Sequence, residues 1–216
     1  VDYLNHARNV IGSASNILFE ELRTNGRLGA CVDISGIFSR ILEKEGIWNC
    51  GIKGSLTVSF PAKSNEETTY FWSVDHGDFV AGHAWIYAPP FSIVDVAVKQ
   101  QPYSGRKSDY LPNMVLVESA PVAKVEVEDI ISPSAVAELK YHRVPRNQYF
   151  NHVASQMNDM LKVFPAQLIS QENGCTMKYC PVAVHASDTP LEEMRNMDFG
   201  GDTPFQLYTK KFKGQL

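Results

Sequence analysis

Near Gly46 the spacing of apolar residues switches from three or four to two, and few folds accommodate that change. Upstream, Leu4, Ala7, Ile11, Ala14, Leu18 and Leu22 line one face of a helix over residues 3–22. Thr24-Asn25-Gly26 breaks that stripe. A second stripe, Ile34, Ile37, Phe38, Ile41 and Leu42, predicts another helix that ends at Gly46 as its C-terminal cap. Downstream, residues 52–60, 68–74, 83–87 and 91–98 alternate apolar with polar between turn-rich segments, as strands do. Helices packed on an antiparallel sheet, an α+β fold, follow from that order.

A segment rich in Gln, Pro, Ser and Gly, residues 99–112, separates this half from a less regular remainder. The reading is therefore a core over 1–112 and a mixed extension of helix and loop over 113–216, packed into the same domain or beside it. In the extension, Ser132-Pro133 starts a helix running to His142. Val153, Met157, Met160, Leu161 and Phe164 form a further helical face before Pro165. The final fifty residues read as loop-heavy. No internal repeat is present, which removes solenoids and propellers.

Composition narrows the partners. With 44% hydrophobic and 20% charged residues, the 216-residue chain is neither disordered nor fibrous. The net charge is −4, and the densest basic stretch is Lys210-Lys211-Phe212-Lys213, so a nucleic-acid partner is not expected. No apolar run approaches the roughly 18 residues of a membrane helix. Nothing near Val1 has the charged-then-apolar order of a leader, and the four cysteines are sparse. A reducing, cytoplasmic setting is expected.

Three residues carry chemistry. Gly29-Ala30-Cys31 opens the second helix, where unsatisfied backbone N–H groups favour a thiolate and offer donors to an oxyanion. In Gly82-His83-Ala84-Trp85-Ile86-Tyr87, a strand holds an imidazole rigidly enough for general acid–base work. Asp95 is a lone carboxylate within the apolar run Ile93-Val94-Asp95-Val96-Ala97-Val98, which is costly without a partner. A turn at Ala88-Pro89-Pro90 would bring its strand beside that of His83. Each residue also has a bland reading: an inert core thiol, a histidine satisfied by backbone, an aspartate at a strand end.

Taken in order, Gly29-Ala30-Cys31, His83-Ala84-Trp85 and Asp95 resemble the transglutaminase-like branch of the papain-fold cysteine enzymes over about residues 25–98. The turn Leu42-Glu43-Lys44-Glu45-Gly46-Ile47 fits as well. The resemblance implies a papain-like core, with Cys31 as nucleophile, His83 as base and Asp95 as the residue that orients the imidazole. It implies an acyl-thioester formed from a peptide, protein or small amide, then hydrolysed by water as in a peptidase, amidase or deamidase. Transfer to an amine, as in a transglutaminase, is the alternative. No cofactor or metal is implied.

The chain departs from related patterns at two points. Arylamine N-acetyltransferases have Arg-Gly-Gly-x-Cys where this chain has Arg27-Leu28-Gly29-Ala30-Cys31, so that acyl transfer is the less favoured alternative. Papain-like proteases place a glutamine where Asn25 stands, which makes Asn25 a candidate oxyanion donor and the Cys31 amide the safer one. Trp85, and also Trp72, are candidates for lining the acyl cleft, or are core aromatics. His76, in Asp75-His76-Gly77-Asp78, is a rival base on an exposed turn. Cys175, Cys180 and His185 match no strong zinc spacing, and Cys50 reads as a small core residue. A noncatalytic binding module built on the same fold is the competing class of function.

Overall fold

A computed structural model of the chain describes residues 3–25, 27–76, 78–79 and 82–214, the side chains of 78 and 79 excepted. Gly26 and Gly77, both part of the sequence reading, lie outside the described residues. Seven α-helices accompany antiparallel strand pairs among the described residues, so the chain is α+β. Two compact units are built from interleaved segments. The first comprises Val1–Gly51, Trp85–Ser119 and His185–Leu216, the second Ile52–Ala84 and Ala120–Val184. Each unit draws on residues from both sides of the 112/113 division expected from the sequence.

In the first unit, α1 (Tyr3–Asn25) packs against α2 (Cys31–Lys44). The buried residues are those of the two stripes, Ala7, Ile11, Ala14, Leu18 and Leu22 on α1 and Ile34, Ile37, Phe38, Ile41 and Leu42 on α2. Each large aliphatic side chain buried there contributes about 1.5–3 kcal/mol. α1 continues through the expected break to Asn25 because two side chains satisfy carbonyls of its last turn. Thr24 Oγ1 donates to Glu20 O at 2.7 Å, and Asn25 Nδ2 donates to Glu21 O at 2.8 Å. α2 stops as its sequence predicts. Gly46 takes φ +71°, its N–H donates to Glu43 O at 3.0 Å, and Ile47 N–H donates to Leu42 O at 2.8 Å.

The same unit holds most of β5 (His83–Ala88), with β6 (Phe91–Asp95) and β7 (Val115–Val117). β6 is the middle strand, its Val94 opposite Ile86 of β5 and Leu116 of β7. A bulge shifts the register between Ile86 and Ala88. β6 ends at Asp95, earlier than the alternating pattern suggests. The Asp95 carboxylate accepts the Ala97 N–H at 2.8 Å, and that side-chain turn leads the chain into a 3-10 turn at Val98–Gln100. Finally α7 (Pro204–Lys211) starts at a capping box in which Thr203 and Gln206 bond reciprocally. Tyr208 Oη donates to Glu45 at 2.8 Å, and Lys211 pairs with Glu21, which ties α7 to the two N-terminal helices.

The second unit holds the body of β1 (Cys50–Ser59), paired with β2 (Thr69–Phe71) through Thr57 opposite Tyr70. β3 (Val74–Asp75) pairs with β4 (Asp78–Phe79). β8 (Gln167–Ser170) and β9 (Thr176–His185) form a hairpin with Leu168 opposite Lys178. That hairpin corrects the expectation of loop beyond Ala166. Around it lie α3 (Val127–Ile130), α4 (Pro133–Tyr141), α5 (Tyr149–Val153) and α6 (Met157–Val163). α4 begins at Ser132, whose hydroxyl accepts the Ala135 N–H at 3.2 Å, as the Ser-Pro pair predicts. The single helical face expected around residues 153–164 is instead two helices, broken at Ala154, which takes φ −150° and ψ 52°. Val74, Ile130, Leu139, Tyr149, Met157 and Val182 form the core of this unit.

Candidate active site

Cys31 is the first residue of α2 and is buried. Its approach is set by Gly29, which takes φ +70°, a conformation that favours glycine. Gly29 N–H donates to Gln100 O at 2.9 Å. Ala30, the N-cap residue, carries no side-chain acceptor, so no side chain at that position competes for the amides of the first turn. At this terminus the thiol stands on the first helical residue, after a small residue that makes no side-chain cap hydrogen bond.

Asp95 closes β6 and is only 2% exposed. A chain of hydrogen bonds links its turn to the approach to Cys31. Ala97 N–H donates to Asp95 Oδ1 at 2.8 Å, Gln100 N–H donates to Ala97 O at 3.0 Å, and Gln100 O in turn accepts from Gly29. Gln101, also buried, adds a bond from Nε2 to Ala97 O at 2.9 Å. Cys31 and Asp95 thus stand on one hydrogen-bonded frame within the first unit.

His83 belongs to the second unit. It is the first residue of β5 and fully buried, its ring 6.3 Å from that of Phe71 and 6.1 Å from that of Tyr179, centroid to centroid. Gly82 precedes it where no larger residue fits: a Cβ there would stand 2.3 Å from Phe71 O and 2.4 Å from Trp72 O. Trp85 is 2% exposed and among the largest fully buried side chains, the burial of a core aromatic. Asn25 spends one amide hydrogen on the α1 carbonyl of Glu21. His76 sits at φ +48° with its side chain 80% exposed and Nε2 3.9 Å from the Asp75 carboxylate, the exposed turn its sequence suggests.

Sequence reasoning missed the groups around the start of α2. Asp33, in its first turn, accepts from Arg27 Nη2 at 2.5 Å and from Asn196 Nδ2 at 2.8 Å, while Arg27 Nη1 donates to Asn196 O at 2.9 Å. This knot fastens the segment before α7 to the loop that carries Gly29. No local signal could have joined Asn196 to Asp33. A second missed feature is Asp129, a buried carboxylate in the other unit that accepts from Thr57 Oγ1 at 3.0 Å and Lys178 Nζ at 2.8 Å.

Burial disfavours the thiolate at Cys50, Cys175 and Cys180. Burial pushes the Cys175 thiol up to about 11 and the Cys180 thiol up to about 12, and raises that of Cys50 as well. Cys175 and Cys180 lie in the second unit and His185 in the first. Among the described residues, no three His, Cys, Asp or Glu side chains are placed to hold a metal ion. Among the described residues, too, no helix is long and apolar enough to cross a membrane.

No protein-family model matches the chain, and no curated protein matches it. Among solved structures, a structural-genomics target is similar with 12% sequence identity and a TM-score of 0.34, over 82% of this chain and 92% of that one.

Proposed function

We propose that this chain is a cysteine-nucleophile enzyme with a papain-like, transglutaminase-like core, acting on an amide bond of a peptide, protein or small molecule. The observation that carries the reading is Cys31 as the first residue of α2, after a left-handed Gly29 and an N-cap residue with no acceptor side chain. The burial of Asp95, on the hydrogen-bonded frame that also holds Gly29, adds support. So does a buried histidine at the start of a strand, with the rings of Phe71 and Tyr179 6.3 and 6.1 Å from its own. Four unpaired thiols suit a reducing, cytoplasmic setting.

In this mechanism the Cys31 thiol gives its proton to His83 as sulfur attacks the carbonyl carbon. The oxyanion accepts the Cys31 backbone N–H, and the carboxylate of Asp95 steadies the imidazolium. Collapse expels the amine, which takes the proton from His83 and leaves a thioester on Cys31. Water then attacks the thioester carbonyl as His83 accepts its proton; collapse releases the carboxylic acid and expels the Cys31 sulfur, which takes that proton back from His83 as a thiol. An amine in place of water would give acyl transfer by the same steps.

The test uses two probes. Iodoacetamide should alkylate Cys31 before Cys50, Cys175 and Cys180, with a rate that falls on acidification. p-Nitrophenyl acetate should leave one acetyl group on Cys31, visible by intact mass, that is lost in Cys31→Ala and forms at least about a hundredfold more slowly in His83→Ala. Uniformly slow alkylation of all four thiols, or acetylation that survives Cys31→Ala, would overturn the proposal and favour a binding module.

A further inference from the structure

In the second unit a cavity of about 350 Å3 opens between the strand edge at Tyr70 and Trp72 and the flank of α4. One wall is aromatic. The rings of Tyr70 and Trp72 are 5.5 Å apart and within 4° of parallel. Trp72 Nε1 donates to Glu128 O at 3.0 Å, which satisfies the indole's polar atom and fixes its plane. Glu128 lies on α3, itself anchored by the buried Asp129 through Thr57 and Lys178. The wall is therefore set before any ligand arrives, which lowers the ordering cost of binding. Ile131, Pro133 and Val136 complete the apolar lining.

The charged groups at the rim are unequal. Glu128 is already paired with Arg146 at 2.6 Å. Lys140, which also lines the cavity, makes no ion pair among the described residues. The Lys140 charge also acts on the Glu128 carboxylate without an ion-pair contact, so a slot with one aromatic wall and this exposed ammonium at its rim fits a flat ring bearing a single negative charge. A sugar would need several hydroxyl partners, and the indole N–H and the Glu128 carboxylate are both committed. A phosphate would call for more than one cation.

We infer that this cavity is a binding site for a planar aromatic group carrying a carboxylate, the ring against Trp72 and Tyr70 and the carboxylate on Lys140. The site lies within one unit and stands whether or not Cys31 is a nucleophile. The probes are indole-3-acetate and its neutral isostere indole-3-acetamide, titrated by ligand-observed NMR. The acid should bind about fivefold more tightly than the amide, the size of one partly screened ion pair. Lys140→Gln, at an exposed helical position, should bring the acid to the level of the amide and leave the amide unchanged. Trp72→Leu should weaken both, and Trp72→Phe, which keeps an aromatic ring there, should retain most of the binding. Equal affinity of acid and amide for the parent, a preference that survives Lys140→Gln, or no saturation of either probe at millimolar concentration would each overturn the assignment.

Discussion

Replacing Asp129 by Ala withdraws one acceptor from three donors at once. Thr57 Oγ1 at 3.0 Å and Lys178 Nζ at 2.8 Å lose their carboxylate, as does the Glu126 N–H at 2.9 Å, half of the box that starts α3. A hydrogen bond to a charged group is worth about 1.5–3 kcal/mol, and breaking a buried ion pair costs about 3–5 kcal/mol. The Lys178 side chain is 24% exposed and can turn its ammonium to water, whereas that of Asp129 is 6% exposed. That freedom puts the expected loss near the lower figure, about 3–4 kcal/mol, or a fall in Tm of roughly 10 °C for a chain of this size. Asp129→Asn keeps an acceptor for the Thr57 hydroxyl and should lose about half as much. Lys178→Met should be less damaging in the Asp129→Ala background than in the parent, because its partner is already gone. Urea titration of the parent, the single variants and the double variant measures all of this. A loss under about 1 kcal/mol for Asp129→Ala, or strict additivity of the two substitutions, would refute the account of Asp129 as the acceptor that organises this part of the unit.

Two further outcomes are expected beside those for Cys31 and Lys140. Burial holds the Cys175 and Cys180 thiols protonated up to about 11 and 12, against 9.0 for each when unperturbed, so above pH 9 the unfolded chain releases protons that the folded chain keeps. Stability should be insensitive to these groups below pH 9 and fall as pH rises from there towards those values. Cys180→Ala should flatten part of that fall in urea melts across pH 8–11, and an identical slope in the variant would contradict the assignment. Gly82→Ala should cost at least about 3 kcal/mol, since the new Cβ meets backbone atoms of Phe71 and Trp72 at 2.3–2.5 Å and no side-chain rotation relieves it. An unchanged urea midpoint for that variant would show the close approach to be illusory.

Much of the first half of the fold is legible because its signals are long and local. The stripes of α1 and α2 run for several turns, and Gly46 marks the end of the second. The end of β6 at Asp95 is misjudged from the sequence because that side chain bonds its own backbone. The β8–β9 hairpin is harder to see because Pro181 sits inside β9, where a central-strand reading is ordinarily rejected. The site divides in the same way. Cys31 and Asp95 stand out from their immediate neighbours, one as a thiol after two small residues, the other as a charge among aliphatics. Asp129 does not, because its partners Thr57 and Lys178 lie 72 and 49 residues away and nothing around it in the chain foretells either. The knot of Arg27, Asp33 and Asn196 is invisible for the same reason, spanning up to 169 residues.

The interleaving of the two units has a consequence for biosynthesis. Every segment of the second unit has been translated once Val184 is made, whereas the first still awaits His185–Leu216, with α7 and the Asn196 contacts to Arg27 and Asp33. On the ribosome the second unit can mature first, while α1 and α2 remain without the strand of chain that fastens them. The loop before Cys31 would gain the restraints of that knot only once synthesis has passed Asn196.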